Sequence, residues 1–198
     1  PLHGPILNEN LGHYISLYDK WSSYTPEEEG IVLAYTSVYG NTKKAVELLE
    51  EELKKHSVPK IVKLDLARTD ISHAVAMAFK YSRIVLATTT YNMELFPFMN
   101  NFIHHLVERN FQNRLIGIIE NGTWAPLVEK LIKEKFNKSK EITFTNTTVK
   151  IKSSVNDNNL KEIASLAQEL SRGYESTTSK KEDLNALFNI GYGLYVVT

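Results

Sequence analysis

Residues 31–42 read Ile31-Val32-Leu33-Ala34-Tyr35-Thr36-Ser37-Val38-Tyr39-Gly40-Asn41-Thr42. An unbroken apolar run gives way to hydroxyls, a glycine and an amide, after which Ala45, Leu48, Leu49 and Leu53 recur at helical spacing. That is a strand, a turn and a helix. A strand with no polar alternation is covered on both faces, as happens in a parallel sheet flanked by helices. The same alternation continues to Arg172. Further strands are expected at Lys60–Leu64, Ser82–Thr88, Arg114–Ile119 and Thr147–Lys152. Helical periods lie between them: Ile71 to Phe79, Met99 to Val107, about Pro126 to Phe136, and Leu160 to Leu170. Thr69-Asp70-Ile71 supplies an N-cap signal, and the polar loop Ser153–Asn159 precedes the last helix. Strand-helix-strand units with right-handed crossovers build a three-layer α/β sandwich over a five-stranded parallel sheet.

Working outward, 198 residues with 42% hydrophobic content suffice for one well-cored domain of roughly 150 residues plus extensions. Residues 1–30, with a short helix near Glu9–Tyr18, read as an entry segment. Residues 173–198 read as a Ser/Thr/Lys linker and a last apolar stretch. The ends read as cuts in a longer chain: Pro1 is not an initiator Met, and Leu194–Thr198 stops inside a strand-like run. Lys+Arg and Asp+Glu are equal at 23 each, so no bulk field draws the chain to nucleic acid or an anionic membrane. No apolar run approaches the roughly 20 residues that span a bilayer. The lack of cysteine removes thiolate metal sites and cysteine nucleophiles and fits a cytoplasmic location.

In a doubly wound sheet the ligand sits beyond the carboxyl ends of the strands, so the loops after the first, third and fourth strands should hold the site. The first, Thr36-Ser37-Val38-Tyr39-Gly40-Asn41-Thr42, offers hydroxyls, an amide, a glycine and the free N–H groups of a helix N-terminus: a phosphate cradle without a cation. It has neither the Gly-Lys-Ser/Thr of a nucleotide triphosphatase nor the Gly-x-Gly-x-x-Gly of a dinucleotide loop. An ordinary capped turn is the plain alternative. The third loop contributes Thr89, Thr90, Tyr91 and Asn92, and the fourth Asn121, Gly122, Thr123, Trp124 and Ala125. Aromatics on two loops beside a phosphate cradle suit a planar heterocycle; the alternative for Trp124 is a core or lid role. His104-His105 and the other histidines lack ligand spacing and read as surface or packing residues.

Thr-Ser-x-Tyr-Gly-Asn-Thr at 36–42, Thr-Thr-Tyr-Asn at 89–92 and Asn-Gly-Thr-Trp-Ala-Pro at 121–126 resemble the FMN loops of the flavodoxin family, and more narrowly those of flavodiiron proteins (A-type flavoproteins). The resemblance covers about residues 1–172 and implies a flavodoxin-like sheet in the order 2-1-3-4-5, with residues 31–172 as the FMN-binding domain. His3-Gly4-Pro5-Ile6 resembles the end of the metallo-β-lactamase-like domain that precedes it, where the matching histidine ligates a non-haem diiron centre; His3 would bind metal only in a full-length parent. More weakly, Asp183–Thr198 resembles the start of a flavin-reductase-like domain, a terminal helix and strand being the alternative.

The resemblance implies that Thr36, Ser37, the Tyr39 backbone, Gly40, Asn41 and Thr42 hold the FMN phosphate, while Thr89–Asn92 and Asn121–Ala125 frame the isoalloxazine. Electrons would come from a donor protein or reductase domain and pass to the diiron domain of a partner subunit, in a homodimer or homotetramer of the parent that reduces dioxygen or nitric oxide. With no cation at the phosphate and an apolar ring pocket, negative charge on the flavin is disfavoured and its lower potential depressed. Two other flavin readings stay open: a free flavodoxin-type carrier, and an FMN-dependent NAD(P)H:quinone reductase, which steady NADPH oxidation would reveal. A third is a non-redox sandwich making protein contacts through its loops.

Overall fold

The structure, a computed structural model, describes residues 4, 6–123 and 126–174. His3, Trp124, Ala125 and the tail from 175 onward lie outside the described residues. The chain runs α1 (Leu11–Ser22), β1 (Glu28–Tyr35), α2 (Asn41–Lys54), β2 (Ile61–Asp65), α3 (Ile71–Lys80), β3 (Tyr81–Tyr91), β4 (Glu94–Leu95), α4 (Pro97–Glu108), β5 (Arg114–Asn121), α5 (Val128–Lys135), β6 (Ile142–Ile151) and α6 (Asp157–Ser171). Five strands pair in parallel in the order β2-β1-β3-β5-β6, the expected order, and β4 pairs antiparallel with the end of β3.

The central strands are buried on both faces, so alternate residues feed two separate cores. Val32, Ala34, Ile84 and Leu86 join Met99, Phe102 and Ile132 on the side of α3, α4 and α5. Ile31, Leu33, Val85 and Ile119 join Leu49, Ile163 and Leu166 on the side of α2 and α6. Gly117 in β5 lets α6 come close: an added Cβ would stand 3.2 Å from the Leu166 side chain and 3.3 Å from Val85. Asp70 caps α3 by accepting from Ser72 and His73 N–H, and Asn156 with Asn159 forms a reciprocal capping box at α6.

Three elements depart from the expectation. The first helix lies at Leu11–Ser22 rather than near 9–18, and it buries none of its residues. The third loop folds back as a two-residue hairpin because Asn92 (φ 49°) and Met93 (φ 62°) both take the left-handed conformation that such tight turns require. Asparagine announces this; methionine does not. The last strand starts at Ile142, five residues before Thr147, and contains a bulge between the pairs Ile116↔Phe144 and Ile118↔Thr148. Glu169 of α6 holds the bulge by accepting from the backbone N–H groups of Asn146 and Thr147 and from the Thr147 hydroxyl. The polar run there hides the strand from a hydrophobicity reading.

Candidate functional site

A groove of about 470 Å³ opens at the carboxyl ends of β1, β3 and β5, a volume within the range of small-molecule sites, roughly 300–1,000 Å³. Ser37, Val38, Tyr39, Asn41 and Thr42 from the first loop face Thr89, Thr90 and Tyr91 from the third and Asn121, Gly122 and Thr123 from the fourth. All three expected loops therefore meet. None of the described residues lining the groove carries a charge.

At one end α2 begins. Gly40 is its N-cap, held at φ 86° with no side-chain cap, and an added Cβ there would meet nothing within 4 Å. Glycine is needed for the conformation, not for space. Lys44 N–H bonds the Gly40 carbonyl, and Lys43 N–H reaches the Ser37 hydroxyl at 3.2 Å. The N–H groups from Val38 to Thr42 have no acceptor among the described residues, so the helix N-terminus presents a concave run of donors to an anion. At the other end Tyr91 packs edge-on against Phe96, with ring centroids 5.6 Å apart, and is half exposed. Tyr39 stands on the rim, 91% exposed.

Hydrogen bonds between loops fix the walls. Asn121 donates its amide to the Thr42 hydroxyl at 3.2 Å, and the Thr89 hydroxyl donates to the Asn121 carbonyl at 3.0 Å. Leu127 N–H donates to the Thr90 hydroxyl at 3.1 Å. The buried Glu120 carboxylate accepts from Glu129 N–H at 2.9 Å, which anchors the start of α5 and hence the far end of the fourth loop.

Two expected site residues sit elsewhere. Thr36 is fully buried, its hydroxyl 2.6 Å from that of Thr88 beneath the groove, because the strand pleat turns it into the sheet. Asn92, at the hairpin tip, lines a separate shallow cavity of about 380 Å³ with Asn100, Asn101 and His104. Conversely, Phe96 and Ser153 line the groove without having been expected there. Ser153, after β6, has φ 74°; only the strand order shows that its loop borders the site. Among the described residues no cluster of three His, Cys, Asp or Glu side chains could hold a metal ion, and no helix is long and apolar enough to cross a membrane.

No protein-family model matches the chain. In sequence it is 22% identical over 124 residues to the anaerobic nitric oxide reductase flavorubredoxin of Enterobacter sp. (strain 638), a match covering 62% of this chain and 26% of that protein. The chain thus spans about a quarter of the length of the curated relatives it matches. The flavodiiron protein of Giardia intestinalis superposes with a TM-score of 0.70 at 16% identity, covering 87% of this chain and 42% of that one. The Streptococcus pneumoniae TIGR4 flavodoxin superposes at 0.61 with 17% identity over 73% of this chain and 98% of its own. The chain has a flavodoxin-like fold and is similar, in sequence and in structure, to part of the flavodiiron proteins.

Proposed function

We propose that the groove binds FMN and that the chain is the electron-transfer domain of a flavodiiron-type oxidoreductase whose full-length form reduces dioxygen or nitric oxide at a diiron site. The observation that carries this reading is the union of an unpartnered amide cradle at Gly40–Thr42 with an uncharged, aromatic-edged groove at the carboxyl end of the sheet. Those features fit the two ends of FMN. Backbone N–H groups and the Ser37, Asn41 and Thr42 side chains would take the phosphate, and Tyr91 with the loop from Asn121 would cover the ring.

Bound FMN would supply the one- and two-electron chemistry. The chain's own part is to orient the group, to exclude water through the Tyr91 and Asn121–Thr123 loops, and to leave the phosphate charge without a cation. That last property disfavours added negative charge and supports electron donation. The likeness to a flavodiiron protein extends over more of the chain than the likeness to a free flavodoxin, 87% against 73%, which supports the parent over the carrier. A donor protein, a diiron acceptor on a partner subunit and a metallo-β-lactamase-like neighbour in the parent follow from the same reading.

Incubation with excess FMN, desalting and a visible spectrum test it. Retained flavin absorbance near one flavin per chain is expected, lost in the Asn41→Ala, Thr42→Val double variant. A colourless chain that does not quench FMN fluorescence overturns the flavin reading.

A further inference from the structure

The opposite pole of the sheet, where the strands begin, carries an uneven charge. Two cavities open there, and Tyr24 lines both. One, of about 370 Å³, has Trp21 and Phe79 in its walls with Arg109 and Arg114; the other, of about 420 Å³, is lined by Gln112, Lys138, Ser139 and Lys140. Across the two, Lys20, Arg109, Arg114, Lys138 and Lys140 face a single acid, Glu27, in a chain whose charges balance at 23 and 23.

Neighbouring carboxylates do little to cancel this excess. Lys138 and Lys140 make no ion pair among the described residues, and Lys20 donates to the Glu27 carbonyl rather than its carboxylate. One Glu27 carboxylate oxygen accepts from the Trp21 indole N–H at 2.7 Å. Arg109 lies 3.9 Å from Glu108 with both side chains half exposed. Arg114 is only 4% exposed and donates to the backbone carbonyls of Tyr24, Phe79, Tyr81, Gln112 and Asn113; no carboxylate pairs with it among the described residues. Burial draws its pKa down to about 10, so it stays charged at neutral pH. The Glu29 carboxylate offsets part of this charge from a distance, without an ion pair, and the remaining excess of basic over acidic lining residues leaves net positive potential in the cavities.

One cavity is aromatic-walled and the other is basic with amide and hydroxyl groups, and the two share a tyrosine. We propose that this pole binds a nucleoside phosphate, its aromatic ring beside Trp21 and Phe79 and its phosphate beside Lys138 and Lys140. Aromatic walls match the ring faces, and two lysines act as point charges for the dianion. The site lies at the strand ends opposite the groove, so it stands independently of flavin binding.

The test is a ¹H–¹⁵N NMR titration of the flavin-free chain with AMP, with adenosine and inorganic phosphate run in parallel. AMP is expected to shift the Trp21 indole and the backbone amides of residues 109–114 and 138–140, and to bind more tightly than either control. The exposed double variant Lys138→Gln, Lys140→Gln should weaken AMP about fivefold, as the loss of two solvent-screened charges would, with adenosine binding and the unfolding midpoint unchanged. Shifts confined to Gly40–Thr42 would place AMP in the cradle at the other pole and overturn the proposal. So would AMP affinity equal to that of inorganic phosphate, AMP affinity indifferent to the double variant, or no shifts at all.

Discussion

The Thr90 hydroxyl accepts Leu127 N–H at 3.1 Å, so a side chain that lines the groove also holds the third and fourth loops together. Thr90→Val keeps the shape and removes the acceptor. It should cost about 1–3 kcal/mol, the penalty for an unsatisfied part-buried donor, while Thr90→Ser should restore stability; urea unfolding measures the loss, and hydrogen exchange at the Leu127 amide locates it. Gly40 is the opposite case, since nothing contacts an added Cβ there and only the backbone conformation resists. Gly40→Ala should therefore destabilise by about 1 kcal/mol through its left-handed φ alone, and a neutral unfolding midpoint would contradict that account. Both roles were only half visible in the sequence: a threonine in a loop announces a hydroxyl, not its partner.

At the scale of elements, α3 and α1 differ in what holds them. Asp70 accepts two first-turn N–H groups of α3, so Asp70→Ala should cost about 1 kcal/mol in urea unfolding. Helix α1 has twelve residues, none buried, with Leu11, Ile15 and Tyr18 exposed; its end is tied down by Trp21, through Glu27, and by the Tyr24 carbonyl, through Arg114. A helix of that length is marginal by itself. Its first two turns should exchange amide protons far faster than β1, β3 and β5, whose residues fill two cores; equal protection would show a stabilising contact on α1. The bulge in β6 is an element that only its acceptor explains, because a run of threonines and an asparagine becomes a strand when Glu169 satisfies the amides that the ladder leaves out.

Across the molecule, acid should unpick two such carboxylate anchors. Burial alone would raise Glu129, but hydrogen bonds and charge from Lys133 and Lys150 outweigh it and bring its pKa down to about 2. Burial likewise opposes ionisation of Glu169, and the Thr147 hydroxyl with the Asn146 and Thr147 amides prevails, holding it below the ordinary carboxylate value. Each group binds fewer protons folded than unfolded, so its stabilisation is complete above the ordinary carboxylate range near 4.5 and is lost as pH falls through its lowered pKa, which for Glu129 is about 2. Unfolding midpoints measured from pH 6 to pH 2 should decline through that window. Glu129→Gln should flatten part of the decline.

Local sequence determined what local physics controls: the apolar runs of β1, β3 and β5 covered on both faces, helices with one apolar stripe, the Asp70 cap, and the glycine-hinged first loop with its uncharged donors. Since parallel strands carry their loops to one pole, that was also enough to name the three loops that meet in the groove. Tertiary structure decided which side chains of those loops face the groove. The pleat buries Thr36, the Asn92–Met93 turn swings Asn92 outside, and the strand order brings in Ser153 from a loop that has no motif. It also set five basic residues around Tyr24, drawn from α1, the loops after α4 and α5, and the start of β5. No spacing along the chain encodes that cluster, because its members share only the pole of the sheet at which their elements begin or end.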